Sequence, residues 1–366
     1  MGIALAGLAA LAVAMGIGRF AFTPLLPMMQ ADAGLTLAHG GWLASANYAG
    51  YLVGALSASR APLGIRGSLV AIAVTTFAMA PWPQFELWIA LRFLAGVASA
   101  WVLVQVSAWS LARLAALGRP QLAGVVFAGV GSGIAVAGLL CLALMSLHAK
   151  SGHAWMALGA ASLLVALLLW PAFASAQSTS APVGRDGWRA QWWWLVAAYG
   201  AYGFGYIIPA TFLPAMARDL VADPAVFGWA WPVFGLAAIA STVALVRFAV
   251  GPRQLWIAAQ LVLALGVAMP LVVEGLPGIL LSALLVGSTF TVITLAAMRD
   301  AQDIARAQST RLMAALTAAF AAGQIAGPVF VSLLDYARWS FDRGLLIASL
   351  ITAAGACALL TRRKES

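Results

Sequence analysis

Apolar runs of about 20 residues, the length a helix needs to cross a bilayer, follow one another along nearly the whole of this chain. They fall at roughly 3–27, 41–58, 67–82, 87–111, 121–147, 154–173, 192–216, 226–246, 255–273, 276–297, 312–334 and 344–361. Hydrocarbon offers the backbone no hydrogen-bond partner, so a spanning segment must be a helix or part of a closed barrel. Runs this long, without alternation, read as helices. The expected fold is an all-α membrane protein of twelve transmembrane helices, six on either side of a polar stretch at 174–191. The third run is the shortest. The first opens without a basic segment and leads to no small-residue cleavage site, so it is expected to be retained as a helix rather than removed as a signal peptide.

The two halves are copies. Gly16, Gly18, Leu26, Pro27 and Met29 recur at an offset of 187 as Gly203, Gly205, Leu213, Pro214 and Met216. The same offset carries Gly41-Trp42 onto Gly228-Trp229, and the loop residues Arg60, Gly64 and Arg66 onto Arg247, Gly251 and Arg253. Matches at one offset in three separate elements define a parallel repeat, with an N-terminal bundle at 1–173, a linker at 174–191 and a C-terminal bundle at 192–366. Parallel six-helix repeats are a transporter architecture with the substrate site near the bilayer midplane, where the halves meet. The halves differ most visibly at position 19, where Arg19 faces Tyr206 across the repeat.

A net charge of +9 would ordinarily raise the question of nucleic acid. Here only 8% of residues are charged, and the basic ones sit singly or in pairs between apolar runs with no continuous basic face. They report topology instead. With the N-terminus inside, the inner gaps hold 14 of the 20 Lys and Arg residues and the outer gaps hold 4, while Arg19 and Arg92 lie within spans. Both termini are expected to be cytoplasmic in a multi-pass inner-membrane protein, and no nucleic-acid partner is expected. Cys141 and Cys357 both lie in spans without metal-ligand spacing, so neither a disulfide framework nor a metal site is expected.

The run Gly16-x-Gly18-Arg19-Phe20-x-x-Thr23-Pro24-Leu25-Leu26-Pro27, with Gly41-Trp-Leu-Ala-Ser-Ala-Asn47-Tyr48-x-Gly50-Tyr51, resembles the YbfB/YjiJ-like branch of the major facilitator superfamily. The loop at Arg60, Gly64 and Arg66 is similar to the superfamily's gating motif, with Ala61 where an acid is expected, and Arg247 and Arg253 stand at the matching places. Arg92-Phe-Leu-Ala-Gly96 resembles the fourth-helix motif, Gly129, Gly131, Gly133 and Gly138 resemble the fifth-helix glycine motif associated with antiporters, without its proline, and Gly323-Gln324-Ile-Ala-Gly327-Pro328 is a similar pattern in the eleventh helix; glycines so spaced let helices approach closely. The resemblance implies a secondary transporter that moves a small solute by rocker-switch alternating access, works as a monomer in the lipid bilayer and needs no cofactor. It also implies a gating role for Arg60, Gly64, Arg66, Arg247 and Arg253.

A guanidinium at the centre of a spanning helix costs about 2.5–3.5 kcal/mol on insertion scales and marks a functional position. Arg19 is too deep to reach an interface, and Pro24 and Pro27 free carbonyls near it. Two readings follow: Arg19 faces a central cavity and binds an anion, or it ties helices together. Arg92 lies nearer the outer interface, where its side chain reaches toward headgroups. Asn47 and Tyr51 share one face of the second helix, and Tyr199, Tyr202 and Tyr206 form one stripe on the seventh. Gln105 lies with Trp101 on the face of the fourth helix opposite Arg92, so those two sets do not both face one cavity. The expected substrate-binding set is Arg19, Asn47, Tyr51, Tyr202, Tyr206, Gln105 and Gln324, with Gln260 a weaker candidate.

All 11 acidic residues and all 3 histidines fall in gaps or at helix ends. Membrane enzymes need a nucleophile and base, paired aspartates or a bound metal, and none of these constellations occurs. Exporters of lipophilic cations and pumps with a buried proton-carrying acid need an intramembrane carboxylate. The reading is therefore a secondary transporter of a small organic anion, the alternative being efflux of neutral or hydrophobic compounds. Any proton coupling would run indirectly, through the substrate's own acid or a helix-end carboxylate such as Asp32 or Asp335.

Overall fold

The computed structural model of the chain describes residues 1–82, 84–174, 188–220, 224–247, 250–336 and 340–360, with the side chains at 37, 38, 211–230, 246, 276, 332, 335 and 336 outside that set. Most of the linker, the side chain of Asp335 and the repeat partners Leu213, Pro214, Met216, Gly228 and Trp229 thus lie outside the residues described, in whole or in their side chains. So do Arg185, Arg218, Arg338, Arg362, Arg363 and Lys364 of the charge distribution.

The elements are helical, with no strand among the described residues. They run α1 (Gly2–Asp32, interrupted near its middle), α2 (Leu37–Ser57), α3 (Gly64–Phe77), α4 (Phe85–Ala116), α5 (Ala123–Ser146) and α6 (Ser151–Leu168). After the linker come α7 (Trp192–Leu220), α8 (Pro224–Ala244), α9 (Pro252–Val272), α10 (Gly275–Ala305), α11 (Ser309–Tyr336) and α12 (Phe341–Ala358). Among the described residues, seven stretches are long and apolar enough to cross a membrane by length and composition alone, one of them running from α10 into α11. The third helix is short, as the sequence implies: its 14 residues span about 21 Å.

Helix pairing repeats with a shift of six. In the first half α1 packs on α4 and α5, α2 on α4, and α3 on α4 and α6. In the second, α7 packs on α10 and α11, α8 on α10, and α9 on α10 and α12. Small residues make the tightest of these contacts possible. A Cβ built on Gly16 would sit 2.2 Å from Cα of Gly133, and one on Gly203, 187 residues later, would sit 2.4 Å from the carbonyl oxygen of Phe320. Position 320 is the repeat mate of 133, so the same backbone approach occurs in both halves.

The halves meet along two seams, α2 against α11 and α5 against α8. The glycines of α5 serve two faces at once. Gly129 and Gly133 press on the backbone of α1 within their own half, while Gly131 and Gly138 press on Gly235 and Pro232 of α8 in the other. On the face carrying the basic loops, Ala58–Arg60 packs beside α11, and Pro120–Leu122 beside Leu245–Arg247.

Candidate functional site

The site begins with a fault in α1. From Ala12 to Ile17 the helix widens to i→i−5 bonding, as in Gly18 N–H to Val13 O (2.8 Å) and Phe20 N–H to Met15 O (3.1 Å). A short turn follows, and regular helix resumes at Phe22. The proline ring of Pro24 crowds the carbonyl four residues back, that of Phe20, which places the break just before it. Carbonyls turned out of the ladder at Gly18 and Arg19 need donors, since an unpaired buried carbonyl costs about 1–3 kcal/mol. Arg92 of α4 supplies them: its Nη1 donates to Gly18 O (3.1 Å) and its Nη2 to Arg19 O (3.0 Å). Asn47 of α2 adds its Nδ2, to Gly18 O at 3.4 Å and to Arg92 O at 2.9 Å.

This corrects three expectations. Arg92 does not reach headgroups; it is 2% exposed and spent on the backbone of α1. Arg19 does not use the carbonyls freed by the fault, because Arg92 and Asn47 hold them, and Asn47 serves the fault rather than the cavity. Arg19 instead points across the interface, where its Nη2 donates to Oε1 of Gln324 on α11, and its guanidinium lies over the ring of Tyr51 at 3.9 Å from the centroid. It is 3% exposed, and its Nε and Nη1 have no partner. Beside it Gln324 Nε2 and the hydroxyl of Tyr51 are also buried and unpartnered. Arg19 thus joins the two halves through one nitrogen and is among the residues lining a cavity.

That cavity measures ≈ 20 Å³, room for about one water molecule, and lies between the halves. Arg19 and Tyr51 line it from one side, Tyr199, Tyr202, Phe290 and Phe320 from the other, with the hydroxyls of Thr291, Thr294 and Thr317. Tyr202 donates to Phe290 O at 2.7 Å. Tyr206 stands one layer behind the wall, stacked on Phe290 at 5.3 Å between centroids.

Gln105 is not in the wall. Leu103 is, and it lies 11 residues from Arg92, about 20° round the helix at 3.6 residues per turn, so Gln105 turns away with Trp101, which donates to Ser57 at 2.9 Å. Gln260 is consumed within its own half, accepting from Trp256 (2.8 Å) and donating to Ala198 O (3.1 Å) and Thr352 O (3.0 Å). Thr291, Thr294 and Phe290 of α10 were not singled out in the sequence. Hydroxyls within an apolar helix routinely bond back to the i−4 carbonyl, as Thr294 does to Phe290 O at 3.0 Å, so their type alone does not mark a cavity.

Among the gating candidates, Gly64 adopts φ +60°, a conformation that suits glycine, whereas Gly251 at its repeat position has φ −60°. Arg253 forms an ion pair with Asp300 (2.7 Å) that joins α9 to α10 inside one half. Arg66 lies over Trp170 at 5.1 Å, and Arg60 and Arg247 are exposed. Asp32 accepts from both the backbone N–H and, at 2.8 Å, the hydroxyl of Ser151, capping α6 from the end of α1.

A family model described as uncharacterised MFS-type transporter YbfB matches residues 11–360. No curated protein matched the chain. The crystal structure of the human organic anion transporter MFSD10 (TETRAN) superposes with a TM-score of 0.73 at 16% identity, covering 98% of each chain. At that identity the likeness speaks for the fold alone, whereas the family match runs through nearly the whole sequence. The chain belongs to the YbfB-like family of major facilitator transporters, multi-pass membrane proteins that carry small molecules and are not enzymes.

Proposed function

We propose that this transporter carries a small organic anion by alternating access, the bundles at 1–173 and 192–366 rocking about the cavity at Arg19. One observation carries the reading: around Arg19, buried donors outnumber acceptors. Two guanidinium nitrogens, the Gln324 amide nitrogen and the Tyr51 hydroxyl have no partner. Leaving such groups unsatisfied costs roughly 1–3 kcal/mol each, and stacking on Tyr51 returns only about 0.5–2 kcal/mol. A carboxylate, all acceptor, is the complement of this set. A second reading, efflux of neutral hydrophobic compounds, draws on the ring-rich wall and the Arg19–Gln324 contact; it leaves the four donors unused.

The charge bias supports cytoplasmic termini, and the reading is of an inner-membrane protein that works as a monomer. Import of an anion against a negative-inside potential works against about 2.3 kcal/mol per charge at 100 mV. With no acid among the residues lining the cavity and Asp32 committed to capping α6, a proton enters most simply on the substrate. Uptake by proteoliposomes tests both points. Carboxylates are expected to be taken up in preference to matched cations and amides, faster with an alkaline interior, and Asp32→Asn is expected to keep that gradient dependence. Equal uptake of neutral amides would favour the efflux reading; loss of the gradient response in Asp32→Asn, with exchange spared, would make Asp32 the proton site.

A further inference from the structure

Resting on the reading of Arg19 as the anion-binding group, we infer that the substrate is a flat aromatic monocarboxylate, held by its carboxylate on the first half and by its ring on the second. Of the 13 residues lining the cavity, one is a cation, none is an acid and six carry rings. Arg92 bonds the carbonyls of α1 through both Nη atoms and is not among the residues lining the cavity, so a single guanidinium faces it. That matches one carboxylate and leaves a second anionic group without a partner.

The rings are unevenly shared. Four of the six, Tyr199, Tyr202, Phe290 and Phe320, belong to the second half, and the charge belongs to the first. Those four belong to a bank of rings that holds stacked pairs beside tilted ones, Tyr199 lying at 59° to Tyr202 and 40° to Phe320. Tyr202 lies against Phe320 at 4.8 Å and 34°, Phe290 stacks on Tyr206 at 21°, and Phe234 stacks on Phe290 at 5.0 Å and 25°. Phe20 of the first half meets Phe290 edge-on at 6.3 Å and 85°. A planar ring enters such a bank as the halves part, taking offset-stacked and edge contacts that a puckered ring of similar size does not make, worth about 0.5–1.5 kcal/mol per pair. The repeat rationalises the division of labour: position 19 supplies the charge, and its mate, Tyr206, belongs to the ring bank. A ligand gripped at both ends binds both halves, as a solute passed between them must.

Isothermal titration of the purified full chain in detergent with four probes decides this. Benzoate is expected to bind, with cyclohexanecarboxylate roughly tenfold weaker for want of a flat ring and benzamide roughly a hundredfold weaker for want of charge. Phthalate, a dianion, is expected to be weaker than benzoate. Cyclohexanecarboxylate binding as tightly as benzoate would overturn the aromatic assignment and leave the anion reading standing. Phthalate binding more tightly would overturn the single-charge assignment alone. Benzamide matching benzoate, or none of the carboxylates binding, would bring down the anion reading and this inference with it.

Discussion

Arg19 and Arg92 carry the same group at neighbouring depths and do opposite work. Arg92 spends its Nη1 and Nη2 on carbonyls of the α1 fault, whereas Arg19 reaches across to Gln324 and keeps Nε and Nη1 open. Charged hydrogen bonds contribute about 1.5–3 kcal/mol each. Arg92→Gln is therefore expected to lower stability by roughly 3 kcal/mol, seen as a fall in the melting temperature in detergent, while the variant that survives still prefers carboxylates to amides. Unchanged melting with lost carboxylate binding would make Arg92 a ligand instead. Arg19 was legible in the sequence because a lone guanidinium in an apolar run has few bland explanations. Its partner was not, because Gln324 lies 305 residues away and only the meeting of the two halves, with α2 and α4 against α11, brings them together. The reversal at Arg92 has the same origin: distance to the interface is readable along one helix, the carbonyls of a neighbouring helix are not.

At the scale of the element, α5 divides its glycines between partners. Gly133 meets α1 in its own half, with a built Cβ 2.2 Å from the carbonyl oxygen of Ala12, and Gly131 meets α8 of the other half, its Cβ 2.6 Å from the carbonyl oxygen of Gly235. Contacts this close leave no room for a side chain, but one seam is internal to a bundle and the other lies between the two bundles that rock in the proposed cycle. Gly133→Val is expected to lower the melting temperature strongly. Gly131→Val is expected to melt nearly as wild type yet transport at a small fraction of its rate, because it wedges the seam open. Normal transport by Gly131→Val would remove the α5–α8 seam from the cycle. The glycine run was visible in the sequence as close packing, but which glycine serves which neighbour depends on helix rotation, which the run leaves open. Similarly, Pro24 and Pro27 marked α1 as irregular, while the i→i−5 turns upstream of them, which aim Arg19 across the interface, arise from packing against α4 and α5.

Across the whole molecule the repeat is what the sequence shows best. An offset of 187 found in the loops and in α1 holds for the Gly16–Gly133 and Gly203–Phe320 contacts as well, and helix pairings recur six elements on. The division of function between the halves is written where the repeat breaks, with charge at position 19 and a ring at 206. The rest of the wall, Phe290, Thr291 and Phe320, came from helices whose polar or aromatic residues have ordinary packing roles and acquire another only when the bundles close on one another.

In the proposed cycle the open nitrogens of Arg19 bind the transported anion. The most direct test of this is the affinity, by titration in detergent, of the carboxylate taken up best, measured for wild type, Arg19→Lys and Arg19→Gln with correct folding checked by size-exclusion profile. A lysine keeps the charge but loses the planar fork, so Arg19→Lys is expected to bind more weakly, by roughly ten- to a hundredfold, and Arg19→Gln to show no binding while remaining monodisperse. Wild-type affinity in a folded Arg19→Gln would contradict the claim and leave Arg19 as a tie between the halves.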